Sequence, residues 1–178
     1  LPRTLERYPA AHVLWSGLTG GTRGARLLRE YLAEVEIPIS DAQSSQILDL
    51  GEGAQLKIVS ANQRGLVLSL EWENFRAFLP IGLDKSALAA LYADPAFTDV
   101  NALLLSDGGY APLNPPGLIE KLHPDLVLLS MAAGNSRNLP DAVVINALDG
   151  YQVLRTDWNG WIELTTDGKQ MWVEVERK

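Results

Sequence analysis

Residues 102–131 read ALLLSDGGYAPLNPPGLIEKLHPDLVLLSM, and this stretch decides the fold class. Residues 102–106 and 125–131 are short apolar runs of the kind that form buried strands. A helix is predicted between them, over residues 116–123. A strand, a helix and a second strand in succession are typical of an α/β fold.

The same mixture of elements extends towards the N-terminus. A strand over 12–15 leads into a glycine-rich turn, and a helix is predicted over 23–35, where apolar residues recur at helical spacing until Pro38 ends the pattern. Further elements are predicted as strands over 47–50, 54–59, 66–72 and 75–80 and as a helix over 85–94. We expect the last two of these strands to form a hairpin that turns at Glu73 and Asn74.

Towards the C-terminus, Pro140 is expected in the first turn of a helix that runs to Leu148, and Gly150 ends it. Three strands close the chain, over residues 151–155, 161–165 and 170–176, and we expect them to be antiparallel because short turns join them. The chain therefore predicts one domain over residues 1–178, an α/β sandwich with mixed sheets.

Composition excludes several classes of protein. The formal charge of −7 and the pI near 4.8 argue against an independent nucleic-acid-binding module, because such modules need clustered lysine and arginine. Cysteine is absent from the sequence, which excludes disulfides and thiolate metal sites. No apolar run approaches the roughly 20 residues of a membrane helix. Because the chain starts at Leu1 without a leader, we expect it to be part of a longer protein.

The closing segment carries a family resemblance. Pro140 and Asp141 open a helix, Gly150 ends it, and the sequences VLRTD at 153–157 and NGWIELTTDG at 159–168 follow. This order resembles the end of the metallo-β-lactamase-like domain of the ComEC family, the membrane proteins of bacterial competence that take up DNA during transformation. Residues 5–9 (LERYP) and residues 66–84 resemble earlier parts of the same domain.

The resemblance implies a fold, a location and partners. The fold would be a metallo-β-lactamase-like αββα sandwich that lacks the N-terminal strands and the first metal motif. The chain would be the C-terminal portion of a cell-membrane protein, in a soluble and extracytoplasmic domain. Its partners would be the membrane-embedded part of the parent protein and single-stranded DNA.

The departures from the family predict a degenerate active site. The family's His-x-His-x-Asp-His motif would lie upstream of Leu1, and Asp84 is displaced by one residue from the expected position of the bridging aspartate. Asp107, Gly108 and Gly109 replace the His-His-Gly loop, and Arg137 or Asn138 replaces the late histidine. We therefore expect neither a catalytic residue nor a metal, and a role in scaffolding or in weak DNA contact.

Two alternatives remain open. The first is an active metal-dependent nuclease or phosphodiesterase, in which Asp84 and Asp107 would bind zinc, manganese or magnesium with the help of water. The second is an NAD(P)-binding domain like that of short-chain dehydrogenases, based on the glycine-rich turn at 19–25. Against it, Arg26 replaces the last glycine of that motif, and no tyrosine is followed four residues later by lysine.

Four residues are candidates for contact with nucleic acid. Asn135, Arg137 and Asn138 form a polar group beside the former metal loop and could bind phosphate. Trp158 lies in a predicted turn, where an exposed ring could stack on a base. Because the first strands of the fold would be missing, an open sheet edge is also expected to pair in a homodimer or to be covered by a loop.

Overall fold

The computed structural model describes residues 2–16 and 23–177. The described part contains six α-helices. They are α1 (Pro2–Arg7), α2 (Arg23–Glu34), α3 (Lys85–Ala93), α4 (Pro116–Leu122), α5 (Ala142–Ala147) and α6 (Thr156–Asn159). Short 3₁₀ turns at Ser106–Gly108 and Ala111–Leu113 precede α4.

Eleven strands of the described part form three sheets. They are β1 (Val13–Trp15), β2 (Ile39–Asp41), β3 (Ile47–Gly51), β4 (Ala54–Asn62), β5 (Gly65–Trp72), β6 (Phe75–Leu79), β7 (Ala102–Leu104), β8 (Leu126–Leu129), β9 (Gln152–Arg155), β10 (Ile162–Thr166) and β11 (Met171–Val175). The main sheet has seven strands in the order β3 to β9. β1 pairs with β2 in parallel, and β10 pairs with β11 antiparallel.

The main sheet changes direction at its middle. Strands β3 to β6 are antiparallel and joined by short turns, whereas β6 to β9 are parallel. Parallel neighbours need a crossover connection, and α3, α4 and α5 supply these connections. The carboxyl ends of β6, β7, β8 and β9 consequently meet at one edge of the sheet, where the loops that follow them converge.

One face of the main sheet is covered by α3, α4 and α5. Phe78, Leu103 and Val127 are register partners on β6, β7 and β8, and all are almost completely buried against the three helices. Phe78 also meets the edge of Phe97, with the ring centres 4.6 Å apart. Burial of each such side chain stabilises the fold by about 1.5–3 kcal/mol. This face is the main core.

The opposite face of the sheet is also apolar. Leu104, Leu128 and Leu154 are register partners across β7, β8 and β9, one residue out of phase with the core-facing set. The β10–β11 hairpin packs on this face. An apolar groove of about 700 Å³ lies between α2 and the sheet at Leu66 and Leu68. Both faces therefore need cover, as in sheets with layers on either side.

Most of the predicted elements are confirmed, including the mixed α/β class and the hairpin of β5 and β6 at Glu73 and Asn74. The prediction of an antiparallel closing meander is wrong in one strand, because β9 pairs in parallel with β8. The crossover through α5 returns the chain to the same end of the sheet, which makes a parallel pair. Residues 157–160 are predicted as a turn, whereas Thr156–Asn159 form α6, and the sequence did not indicate α1 or β2.

The edge strands of the main sheet are β3 and β9. On β3, the apolar side chains of Ile47 and Leu50 are more than half exposed. Exposed edges of this kind can pair with a second chain. The homodimer predicted from the sequence would form through β3 or β9, and it stays a prediction. Within residues 2–16 and 23–177, none of the helices has the length and apolar character that crossing a membrane would require.

Candidate functional site

A cleft of about 640 Å³ opens at the edge where the parallel strands end, and we call it the strand-end cleft. Loops after β6, β7 and β8 form its walls. The lining residues are Ile81, Leu104, Leu105, Ser106, Asp107, Gly108, Ser130, Met131, Ala132, Asn135, Ser136, Arg137 and Leu139. Ligands of open α/β sheets bind at this kind of position, outside the carboxyl ends of the strands.

The loop after β7 is held by one buried asparagine. The side-chain oxygen of Asn114 accepts a hydrogen bond from Ser106 N at 2.9 Å, and its amide group donates to Ser106 O at 2.9 Å and Tyr110 O at 2.7 Å. The Ser106 hydroxyl donates to the carbonyl of Pro80 after β6. These bonds fix the loop that carries Asp107 against the neighbouring strand end.

Asp107 is paired with an arginine. Arg64, in the turn between β4 and β5, places a guanidinium nitrogen 2.5 Å from the Asp107 carboxylate. Asn62 fixes that turn, since its side chain accepts from Arg64 N at 2.8 Å and donates to Gly82 O at 2.9 Å. A fixed cation therefore lies against the carboxylate of Asp107.

Asp84, the second predicted metal-ligand candidate, has a different role. Its carboxylate accepts a hydrogen bond from Ala87 N at 2.8 Å and caps the first turn of α3. Such a cap stabilises a helix by about 1 kcal/mol. The two aspartates that the sequence suggested as a fallback metal site thus have separate structural partners.

The donor set does not fit a hydrolytic metal centre. A catalytic zinc site takes three protein ligands and keeps one position for water. Here Asp84 caps a helix and Asp107 binds Arg64. Across residues 2–16 and 23–177, no group of three or more histidine, cysteine, aspartate or glutamate side chains is arranged to hold a metal ion.

Two glycines, Gly82 and Gly109, allow chain segments to meet closely beside the strand-end cleft. A Cβ on Gly82 would lie 2.2 Å from the carbonyl carbon of Gly65, and one on Gly109 would lie 2.5 Å from the Cβ of Pro140. Asp141 accepts from Ala111 N at 2.7 Å beside the second contact. Gly109 therefore has a packing role. The sequence alone predicted only that it belongs to a degenerate loop without metal ligands.

The loop after β8 carries the three polar candidates for phosphate contact. Asn135 folds its amide onto the backbone of Leu139, accepting from its N–H at 3.0 Å and donating to its carbonyl at 2.9 Å. Asn138 is exposed and has a positive φ of 53°. Arg137 is exposed and lines the strand-end cleft. Of the three, Arg137 is the residue that presents a charge to the cleft.

Trp158 forms a stacked pair with an arginine. The Arg155 guanidinium lies 3.7 Å from the Trp158 ring centre, while Trp158 remains 66% exposed. Arg155 also binds both carboxylate oxygens of Asp157, at 3.0 and 2.7 Å. Thr156 is the first residue of α6, the helix that carries Trp158. Its hydroxyl accepts a hydrogen bond from Met131 N and donates one to Met131 O. Trp158 is thus fixed near the cleft but is not one of its lining residues.

We expect the Asp157–Arg155 pair to make the stability of the domain depend on acid pH. The hydrogen bond from Arg155 lowers the pKa of Asp157 below its ordinary value. The ionised carboxylate therefore stabilises the fold at pH values above about 3.9, and this contribution is lost as the pH falls towards the lowered pKa. Urea unfolding of wild type and Asp157→Asn should differ most at pH 7, and the difference should shrink as the pH is lowered from about 3.9 towards 3. A constant difference over this range would contradict the assignment.

The sequence missed two residues of this site, Arg64 and Asn114. Neither stands in a motif. Arg64 reaches Asp107 only in the folded sheet, and Asn114 bonds Ser106 within the irregular loop between β7 and α4. Residues 19–22 of the glycine-rich turn behind the NAD(P) hypothesis lie outside the described residues. Comparison with protein-family models gives no match, and comparison with curated proteins gives none either.

Proposed function

We propose that this chain is a non-catalytic, metallo-β-lactamase-like domain of a ComEC-type DNA-uptake protein, and that its strand-end cleft contacts the phosphates of single-stranded DNA without cleaving them. The observation that carries the proposal is the ion pair of Arg64 with Asp107. It puts a guanidinium on the aspartate of the loop that, by resemblance, would hold a metal ion in an active relative.

The layers on the two faces of the main sheet support the assignment of an αββα sandwich. Helices α3, α4 and α5 cover one face of the main sheet. The other face is apolar and carries the β10–β11 hairpin, with the groove beside α2. A sheet that is apolar on both faces needs a second layer, which is the arrangement of the sandwich that we propose.

The order of the loops supports the relation to a hydrolase cleft. The segments that resemble the family's metal loops follow β6, β7 and β8, and Asp107 and Arg137 line the same cleft. Loops from neighbouring parallel strands meet at one edge, where a hydrolase of this type would assemble its metal ligands. By this resemblance, Asp107 and Gly108 stand in place of two histidines, and Arg137 or Asn138 stands in place of a third.

The charge of the cleft supports contact with phosphate. Arg137 lines the cavity, and Arg64 is paired with its one lining carboxylate, Asp107, although the whole chain has a formal charge of −7. Guanidinium groups bind phosphate oxygens through paired hydrogen bonds. With about two phosphate contacts, the logarithm of affinity should fall with the logarithm of salt concentration with a slope of about −1.4.

The first test combines metal analysis, a nuclease assay and DNA binding. The purified chain should contain no stoichiometric metal, should leave a single-stranded oligonucleotide intact with Mg²⁺, Mn²⁺ or Zn²⁺, and should bind it weakly at low salt. We expect Arg64→Ala/Arg137→Ala to lose most of this affinity, about tenfold or more, and to flatten the salt slope. The matched control Arg7→Ala/Arg26→Ala removes two exposed arginines elsewhere and should bind like wild type.

Asp107→Asn gives a test with opposite outcomes for the two hypotheses. If Arg64 contacts phosphate, removing its carboxylate partner should strengthen oligonucleotide binding severalfold, because the guanidinium is no longer neutralised. If Asp107 were a metal ligand, the same change would abolish metal binding and cleavage. Stoichiometric zinc or manganese together with strand cleavage by the wild-type chain would overturn the proposal and favour the phosphodiesterase.

A further inference from the structure

The β10–β11 hairpin has a polar and aromatic outer face. Its inner side chains Leu164 and Met171 pack on the main sheet at Phe75, Ala77 and Ala102. Because side chains alternate along a strand, the other set points away from the sheet. This outer hairpin face consists of Trp161, Glu163, Thr165, Trp172, Glu174 and Glu176, and every one of these residues is exposed.

Two glutamates lie directly opposite each other in the middle of the outer hairpin face. Glu163 and Glu174 are register partners in the antiparallel pair. Like charges at such positions destabilise a sheet. In the part of the chain that the structure describes, neither carboxylate forms an ion pair, and Glu176 at the end of the same row accepts a bond from Trp161 N at 3.2 Å. The face thus carries repulsion that a cation would relieve.

Two tryptophans frame these charges. Trp161 and Trp172 are 51% and 48% exposed, and Trp172 is the register partner of Thr165. Thr165 is four positions after Trp161, so the two rings are about 14 Å apart along the hairpin. Exposed tryptophans are common at the centres of binding surfaces, because they bury a large area with little loss of side-chain freedom.

We propose that the outer hairpin face binds an extended, lysine- and arginine-rich segment of another polypeptide. Cationic side chains of the segment would lie between Glu163 and Glu174 and over the rings of Trp161 and Trp172. The stacked pair of Arg155 and Trp158, at 3.7 Å, is the same contact made within this chain. Three carboxylates make the face repel DNA and anionic lipid, so this surface is separate from the strand-end cleft and does not depend on the function proposed for it.

The test is a titration of the whole chain with a labelled synthetic peptide in which lysine and serine alternate over about eight residues, long enough to span both rings. Fluorescence anisotropy and tryptophan emission report binding. We expect Glu163→Gln/Glu174→Gln to weaken binding about tenfold or more. Glu6→Gln/Glu34→Gln changes the net charge equally at exposed sites elsewhere and should bind like wild type. A glutamate–serine peptide should not bind.

The thermal stability of the free chain gives a second, independent test. Glu163→Gln/Glu174→Gln removes the cross-strand repulsion and should raise the melting temperature of the free chain by up to about 3 °C while it weakens peptide binding. Trp172→Thr, with a residue that suits strands, should also weaken binding. If Glu163→Gln/Glu174→Gln and Glu6→Gln/Glu34→Gln lost peptide affinity equally, binding would depend on net charge alone, and the proposal would be overturned. Sedimentation would also overturn the proposal if the wild-type chain is a dimer and Glu163→Gln/Glu174→Gln is a monomer. A second copy of the chain would then occupy the outer hairpin face.

Discussion

Replacement of Gly82 by alanine is expected to lower the melting temperature of the domain by about 10 °C. The added Cβ would lie 2.2 Å from the carbonyl carbon of Gly65 and 2.6 Å from its Cα, and backbone atoms cannot rotate away as a side chain would. The hydrogen bond from Gly82 N to Leu66 O, at 2.8 Å, holds the two segments together. Relief of the contact therefore requires backbone movement, at a cost of at least about 3 kcal/mol.

The control for Gly82→Ala is Gly134→Ala. A Cβ on Gly134 would meet no atom within 4 Å, although its φ of +67° is unfavourable for alanine. Its cost should be about 1–2 kcal/mol from the backbone alone. Thermal unfolding followed by circular dichroism would compare the two. Equal losses of stability would show that the contact of Gly82 with Gly65 is not the cause, and would contradict the prediction.

Replacement of Asn114 by alanine is expected to destabilise the domain by about 3 kcal/mol. Asn114 is 2% exposed and makes three hydrogen bonds with the backbone of Ser106 and Tyr110. Alanine would leave the buried N–H and carbonyl of Ser106 without these partners, and unsatisfied buried groups are costly. Urea unfolding would show a lower midpoint, and the melting temperature should fall by about 6–12 °C.

Asn146→Ala is the matched control for Asn114→Ala. Asn146 is an exposed residue of α5, and alanine has the higher helix propensity, so the change should leave stability the same or slightly raised. If Asn114→Ala were equally well tolerated, the loop that carries Asp107 would be held by other contacts. Its role in fixing the strand-end cleft would then be wrong.

Much of the fold could be predicted because its elements are short, apolar and separated by clear turns. β7 and β8 are apolar runs on either side of α4, and their parallel pairing follows from the helix between them. The separation of β9 from the closing hairpin could not be predicted. Its partner depends on where α5 returns the chain, and the turn that was expected to join β9 to β10 is the helix α6.

The candidate site was predictable in position but not in chemistry. The sequence placed Asp107 and Arg137 in loops after neighbouring strands, and both line the strand-end cleft. Arg64 precedes Asp107 by 43 residues and reaches it through the β4–β5 turn. No local pattern marks such a contact, since it depends on the register of β4, β5 and β6. Asn135 also looked like a free polar group, whereas its amide is occupied by Leu139.

The pairing of Arg64 with Asp107 makes the charge at this end of the sheet a permanent property of the polypeptide. A metal ion exchanges with its surroundings, so its loading varies with supply and with competing chelators. A guanidinium is covalently attached and stays protonated at every physiological pH. The electrostatic character of the loop would thus be identical in EDTA-treated and zinc-supplemented samples, and would be set at synthesis.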